Sequence, residues 1–233
     1  KKMNYAKGIW DSPWVGIKNF TFLFRSPDSW IIIKNTILYN IVFIFLGTAF
    51  SVFIAILLNE CSRKWQKRYQ TLILIPHLLS YVVVSYIAYA FLGAENGMIN
   101  NQILRPLGLD PISFYTEDKY WPFILVFVNI WKTFGYSSII YFASIIGIDR
   151  TYYEAAEVDG ASAWTQIWSI TLPLLKPVLI TMLLLSVGRI LYSDFGLFYQ
   201  VPMDSGMLFN TTNTIDTFVY RGLLQTNDQI GRA

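Results

Sequence analysis

Cysteine and histidine, which carry much of enzyme chemistry, each occur once in this chain, as Cys61 and His77. One cysteine excludes a disulfide framework and a cysteine-held metal cluster. One histidine cannot assemble a zinc site or a serine–histidine–acid relay. His77 follows Pro76 in an apolar run, so it reads as a packed polar residue beside a helix kink. The apolar stretches hold no paired carboxylates, and no Gly-rich loop ends in Gly-Lys-Ser/Thr to cradle a nucleotide phosphate. What remains is a handful of polar residues in otherwise apolar surroundings: Asn129 and Lys132, about one turn apart, then Arg189, Tyr192 and Asp194. Such residues are costly in hydrocarbon and usually face a cavity or a partner. Lys132 and Arg189 have an alternative as snorkelling side chains or structural ion pairs, and Asp194 as an interfacial residue.

The elements that carry these residues are long and apolar. Of 233 residues, 54% are hydrophobic and 14% charged, against about a quarter charged in soluble domains. The net charge of +3 gives no basic field for a nucleic-acid partner. Four stretches approach or exceed the roughly 20 residues a helix needs to cross a bilayer: about 35–58, 71–94, 122–148 and 177–193. Backbone groups must be satisfied within each segment in lipid, so helices are the expected form. The fold class that follows is all-α, a polytopic transmembrane helical bundle. Pro76 should kink the second span, and Lys132 and Arg189 interrupt the third and fourth.

The connecting segments suggest an orientation. Arg63, Lys64, Lys67 and Arg68 crowd one short loop, which marks a cytoplasmic side. The next connection, 95–121, is more acidic and falls outside; parity returns 149–176 to the cytoplasm. Lys1, Lys2, Lys7, Lys18 and Arg25 run against this assignment. Trp30, Trp65, Tyr69, Tyr120, Trp121, Trp164 and Trp168 flank the apolar runs, as interfacial aromatic belts do. Residues 1–34 read as an outer segment with an aromatic stretch, Trp10 to Phe24, lying on the membrane surface; residues 201–233 read as a second outer segment.

Segment 149–176 is the most informative. Thr151-Tyr152-Tyr153-Glu154 has the spacing of a capping box. Ala155 and Ala156 favour helix and leave room for a second surface to approach, and Gly160 can take the left-handed turn that stops the helix. Ser162 can cap a second helix whose Trp164, Ile167 and Trp168 share a face, with Pro173 ending or kinking it. The patterning predicts two short helices joined by a glycine turn, and is equally compatible with a plain connector between spans.

Glu154-Ala155-Ala156, three residues, Gly160, nine residues, then Ile170-Thr171-Leu172-Pro173 resembles the EAA loop of ABC importer permeases, in residue identity and in spacing. Trp14 to Phe20, Leu57-Leu58-Asn59-Glu60 and Thr214 to Arg221 resemble the carbohydrate branch, of the LplB type. The resemblance implies a MetI-like permease of six spans, so one span is expected before Lys1 and one after Ala233. It implies that Glu154, Ala155, Ala156, Gly160, Ile170, Leu172 and Pro173 belong to coupling helices docked on a cytoplasmic ABC ATPase dimer. ATP and Mg would be bound there, and this chain would bind no cofactor and hydrolyse nothing. A second permease forming a heterodimer, an extracellular solute-binding lipoprotein and location in the bacterial cell membrane are also implied. Asn129, Lys132, Arg189, Tyr192 and Asp194 then become candidates for the substrate path, with Tyr192 and Phe195 offering faces for a sugar. The alternatives are another small solute, such as an amino acid or phosphate, or a membrane assembly protein without a path.

Overall fold

A computed structural model describes the backbone of residues 28–230 and the side chains of residues 28–224. The aromatic stretch Trp10 to Phe24 and the Trp14 to Phe20 string lie outside the described residues. Every regular element among the described residues is helical. Helix α1 (Asp28–Glu60) opens with an aspartate suited to the positive end of the helix dipole and exceeds the expected first span at both ends. At 1.5 Å per residue its 33 residues extend about 50 Å, so both ends project beyond a hydrocarbon layer of about 30 Å.

The second apolar stretch is two helices, α2 (Arg63–Leu78) and α3 (Tyr81–Leu92), bent by 93°. The bend is not at Pro76, which stays inside α2. It falls at Leu79 and Ser80, because Ser80 supplies the cap that lets a new helix begin: its hydroxyl accepts from the Val83 N–H at 3.3 Å. The connection that follows is irregular but well satisfied. Buried Asn100 donates its amide to the carbonyls of Gly93, Ala94 and Ile112 and accepts from the Ile112 N–H. Helix α4 (Trp121–Ile146) starts from a fully buried Trp121, whose indole N–H donates to the Phe114 carbonyl at 2.6 Å. Trp121 is therefore core and not part of an interfacial belt, while Trp30, Trp65, Trp164 and Trp168 are exposed.

Helix α5 (Arg150–Val158) is short, and α6 (Ala163–Gln166) runs through a π-helical turn at Ile167–Thr171 into α7 (Leu172–Val187). Together they form one apolar helix, Ala163–Val187, long enough to cross a membrane. This corrects the expected fourth span of 177–193. Pro173 does not end the helix: it follows directly on the π-helical turn that carries the chain into α7. The helix stops at Gly188, and 188–194 is irregular. Short α8 (Phe209–Thr212) and α9 (Ile215–Ile230) complete the described chain. Asp28–Glu60, Asp118–Ile146 and Ala163–Val187 can each span a bilayer, and the bent pair makes a fourth candidate.

Helices α1 and α4 pack along each other and organise two apolar clusters. One gathers Tyr39, Val84, Trp121, Leu125, Val128 and Phe198; the other gathers Val52, Ala55, Leu58, Tyr141, Phe142 and Leu175. Where lipid replaces water, apolar burial drives little, and close backbone approach decides packing. Gly135 is such a point: a Cβ there would lie 1.8 Å from the Ile73 carbonyl oxygen of α2. Large residues such as Leu38, Phe45, Phe53, Phe123, Phe127 and Leu184 face outward, so these helices are apolar all round, as membrane spans are.

Candidate functional site

A cavity of about 330 Å³ lies between the two apolar clusters. Its walls come from residues 40–51 of α1, residues 129–141 of α4 and residues 182–194 at and beyond the end of α7. Because α7 unwinds after Gly188, Arg189, Tyr192 and Asp194 enter the wall from an irregular segment and not from one helical face. Asn40 holds that segment: its amide donates to the carbonyls of Ile190 and Tyr192, both at 3.0 Å. Asp194 is already engaged, one oxygen accepting from the Tyr81 hydroxyl at 2.8 Å and the other from the Leu197 N–H at 3.4 Å. Arg189 is exposed and forms no ion pair among the described residues. The Ser51 hydroxyl, on the α1 wall, is buried and unpartnered.

Asn129, Arg189, Tyr192 and Asp194 thus come together around one cavity, and Lys132 does not. The Lys132 ammonium, on a residue 7% exposed, donates to the carbonyls of Pro76, His77 and Leu79 and lies 4.8 Å from the Tyr81 ring centroid. The bend after Leu78 leaves the His77 and Leu79 carbonyls short of helical N–H partners, and the ammonium satisfies them, sharing the Pro76 carbonyl with the Leu79 N–H. Lys132, a substrate-path candidate by sequence, lies outside this cavity and clamps α4 to the broken α2–α3 pair. Beside it, exposed His77 stacks on Tyr136 at 4.9 Å. Phe195 also turns away from the cavity, stacking on Tyr199 and packing against Tyr220.

At the other end of the bundle, α5 protrudes without a single buried residue. Its cap is Asp149, not Thr151: the Asp149 carboxylate accepts from the Thr151 N–H at 3.0 Å, a bond that holds its pKa below the ordinary carboxylate value. An aspartate one residue before the helix is a charged acceptor in the right register, which displaces the expected Thr151–Glu154 box. Gly160 has φ +75°. The Gly160 N–H donates to the Glu157 carbonyl at 3.0 Å and the Ala161 N–H to the Ala156 carbonyl at 2.8 Å, a Schellman stop. Ser162 caps the next helix by accepting from the Thr165 N–H. A hydrogen bond of 2.9 Å between Tyr153 and Thr171 ties α5 to the π-turn.

Glu154 and Ala155 are exposed, Ala156 and Ile170 half-buried, Leu172 packed against the second cluster and Pro173 exposed on the first turn of α7. Glu154 also lines a larger hollow of about 760 Å³ with Glu60, Arg63, Arg150 and Glu157. Val158 is 88% exposed and Trp164 69%. This is an apolar surface flanked by carboxylates on an arm tied to the end of a spanning helix.

Residues 32–197 match the family model described as "Binding-protein-dependent transport system inner membrane component". The chain belongs to that family. Over 219 residues it is 35% identical to the polygalacturonan/rhamnogalacturonan transport system permease protein YteP of Bacillus subtilis, and over 214 residues 32% identical to protein LplB of the same organism. Each alignment covers 91% of this chain and 66% of the relative, so the chain spans slightly less than two thirds of their length. A bacterial ABC transporter involved in import of the acidic polysaccharide alginate superposes with a TM-score of 0.84 at 33% identity, covering 95% of this chain and 76% of that one. A bacterial alginate ABC transporter in complex with an alginate pentasaccharide-bound periplasmic protein gives the same score over 91% and 73%. The MetI-like helical fold and the membrane location follow from these matches.

This inner membrane component also holds a polar network that sequence reading passed over. Ser193 donates its N–H and its hydroxyl to Asp216, both at 2.6 Å. Thr214 and Thr217 bond to each other, Thr36 accepts from the Ile215 N–H, and Asn35 donates to the carbonyls of Asn210 and Asn213. Arg221 pairs with Asp204 at 2.7 Å and lies 3.9 Å from the Phe209 ring centroid. The Thr214 to Arg221 string is thus a fastening between α1, the irregular segment after α7 and α9. The one sequence signal for it is the density of short polar residues at 210–217.

Proposed function

We propose that the chain is the membrane-spanning subunit of an ATP-driven bacterial importer in the cytoplasmic membrane, carrying an oligosaccharide or a fragment of a polysaccharide. The cavity around Asn129, Arg189, Tyr192 and Asp194 contributes to the path. The α5 arm, with Glu154, Ala155, Ala156, Gly160 and the run Ile170-Thr171-Leu172-Pro173, meets the ATPase. One observation carries the reading: α5 stands clear of the bundle yet is fastened to the spanning helix Ala163–Val187 through Tyr153 and Thr171. A push on α5 is therefore transmitted to the helix whose far end unwinds into the cavity wall. Coupling between sites needs such a contiguous element with two positions.

In this scheme the arm and the Arg63–Arg68 cluster face the cytoplasm, as the basic side does. Two ATPase copies close on ATP and Mg, α5 moves with them, and the cavity changes sides. A second, different permease completes the path, and an extracellular binding lipoprotein delivers the cargo. The relatives support this: YteP is named as a permease of a polygalacturonan system, and the superposed transporter is described with a periplasmic binding protein. The test is uptake of radiolabelled glycan by proteoliposomes holding the whole complex. Uptake should require this subunit, and Gly160→Val should leave ATP hydrolysis running while uptake stops. Normal uptake by a well-folded Gly160→Val complex overturns the assignment.

A further inference from the structure

Tyr81 joins the bent α2–α3 pair to the cavity wall. It is the first residue of α3, directly beyond the 93° break. Its hydroxyl donates to Asp194 at 2.8 Å, and a carboxylate acceptor makes such a bond stronger than one between neutral groups. The ring lies across the start of the π-helical turn Gly196–Gln200. A Cβ on Gly196 would stand 2.4 Å from the Tyr81 Cδ2 and 2.8 Å from its Cγ, so any side chain there would push the ring away. The Lys132 ammonium lies 4.8 Å from the ring centroid while donating to the Leu79 carbonyl. Tyr81 is thus gripped by a cation of α4, by a carboxylate and by a bare stretch of backbone. Asp194 borders the cavity; Tyr81 and Lys132 do not.

We infer that Tyr81 is a positioning residue of the transport path, the anchor against which the cavity wall changes shape. This rests on the importer reading above. The irregular strip 188–194 leaves the end of the spanning helix Ala163–Val187, to which the α5 arm is fastened. At the far end of the strip Asp194 is held by Tyr81, on a helix pair that Lys132 clamps to α4. Asn40 of α1 and Asp216 of α9 support its middle, and of these three holds only Tyr81 reaches the bent pair. A strip attached at one end to a moving helix and at the other to a fixed frame must change shape when that helix shifts. Asn129, on α4, belongs to the fixed frame, so the opposite walls of the cavity then move relative to each other. Without the anchor the strip follows the helix: ATP still moves the arm, and the cavity keeps its shape. Coupling of this kind needs a contiguous physical element with two arrangements.

The test uses the whole complex in proteoliposomes and measures radiolabelled glycan taken up and ATP hydrolysed side by side. Tyr81→Phe removes the hydroxyl and keeps the ring. Its maximal uptake per ATP hydrolysed should fall about tenfold, the low end for losing a bond to a charged group. The half-saturating glycan concentration should change less than about twofold, because Tyr81 does not border the cavity. Gly196→Ala keeps the hydroxyl but displaces the ring, and should show the same loss. Tyr81→Phe combined with Asp194→Ala should transport no worse than the poorer single variant, because the two residues act as one unit. A Tyr81 that only stabilises the fold would lower the yield of assembled complex and leave uptake per ATP unchanged, which overturns the inference. Additive losses in the double variant, or a raised half-saturating concentration as the main effect of Tyr81→Phe, overturn it as well, and all three leave the importer reading intact. No uptake of any glycan by the wild-type complex removes both.

Discussion

Replacing Gly135 by alanine tests whether the bundle depends on backbone approach and not on apolar burial. Gly135 lies where α4 crosses α2, and an added Cβ would stand 1.8 Å from the Ile73 carbonyl oxygen and 2.5 Å from its carbon. Carbon and oxygen settle at about 3.3 Å or more, so the two helices must separate by roughly 1.5 Å. Backbone cannot swing aside as a side-chain end can, so the full overpacking cost of about 1–3 kcal/mol applies. For a chain of this size each kcal/mol lowers Tm by about 2–4 °C. Gly135→Ala should therefore melt about 2–12 °C below wild type, followed by size-exclusion of the heated complex in detergent. Gly47→Ala is the control: it also lies inside a spanning helix, but a Cβ there meets nothing within 4 Å. It should melt at or above wild type, since alanine suits a helix interior better than glycine by about 1 kcal/mol. Equal melting of Gly135→Ala and Gly47→Ala would refute the close crossing.

Lys132→Met keeps the bulk of the side chain and strips the carbonyls of His77 and Leu79 of their donor, leaving Pro76 only the Leu79 N–H. It should lower stability by about 1–3 kcal/mol and loosen the α2–α3 bend, read as faster hydrogen exchange at 76–83. Trp121→Phe removes the indole bond to Phe114 inside the core and should cost a similar 1–3 kcal/mol, roughly, in thermal melts. Gly160→Val should fold, since a Cβ there meets nothing within 4 Å. The φ of +75° nonetheless penalises it by about 1–2 kcal/mol, so the turn shifts, and uptake falls while ATP hydrolysis by the complex persists.

The membrane character of the chain is legible from the amino acids alone, because it depends on composition summed along segments. Long runs without charge permit little else, and the runs at 35–58 and 122–148 lie on α1 and α4. The glycine stop is equally legible. A left-handed residue after a helix is a local requirement, and Gly160 with φ +75° meets it. The position of the second break is not. Pro76 is a visible kink signal, but the bend falls at Leu79 and Ser80, where a capping hydroxyl accepts a freed N–H and a lysine from another helix donates to the carbonyls.

The other departures share that cause. Pro173 has the look of a terminator, yet the π-turn just before it carries the helix through, so the fourth span begins far earlier than its hydropathy suggests. Lys132 and Arg189 are alike in sequence, each a cation within an apolar run. Folding gives Lys132 three carbonyls and leaves Arg189 facing a cavity beside an occupied Asp194. Sequence determined that this chain lies in lipid as helices and where its exposed arm turns, because periodicity, charge density and φ preference are properties of neighbouring residues. Only the tertiary structure decided which cation is structural and which is free, because a charge in a low-dielectric interior is defined by whatever distant backbone and carboxylates the packing brings to it.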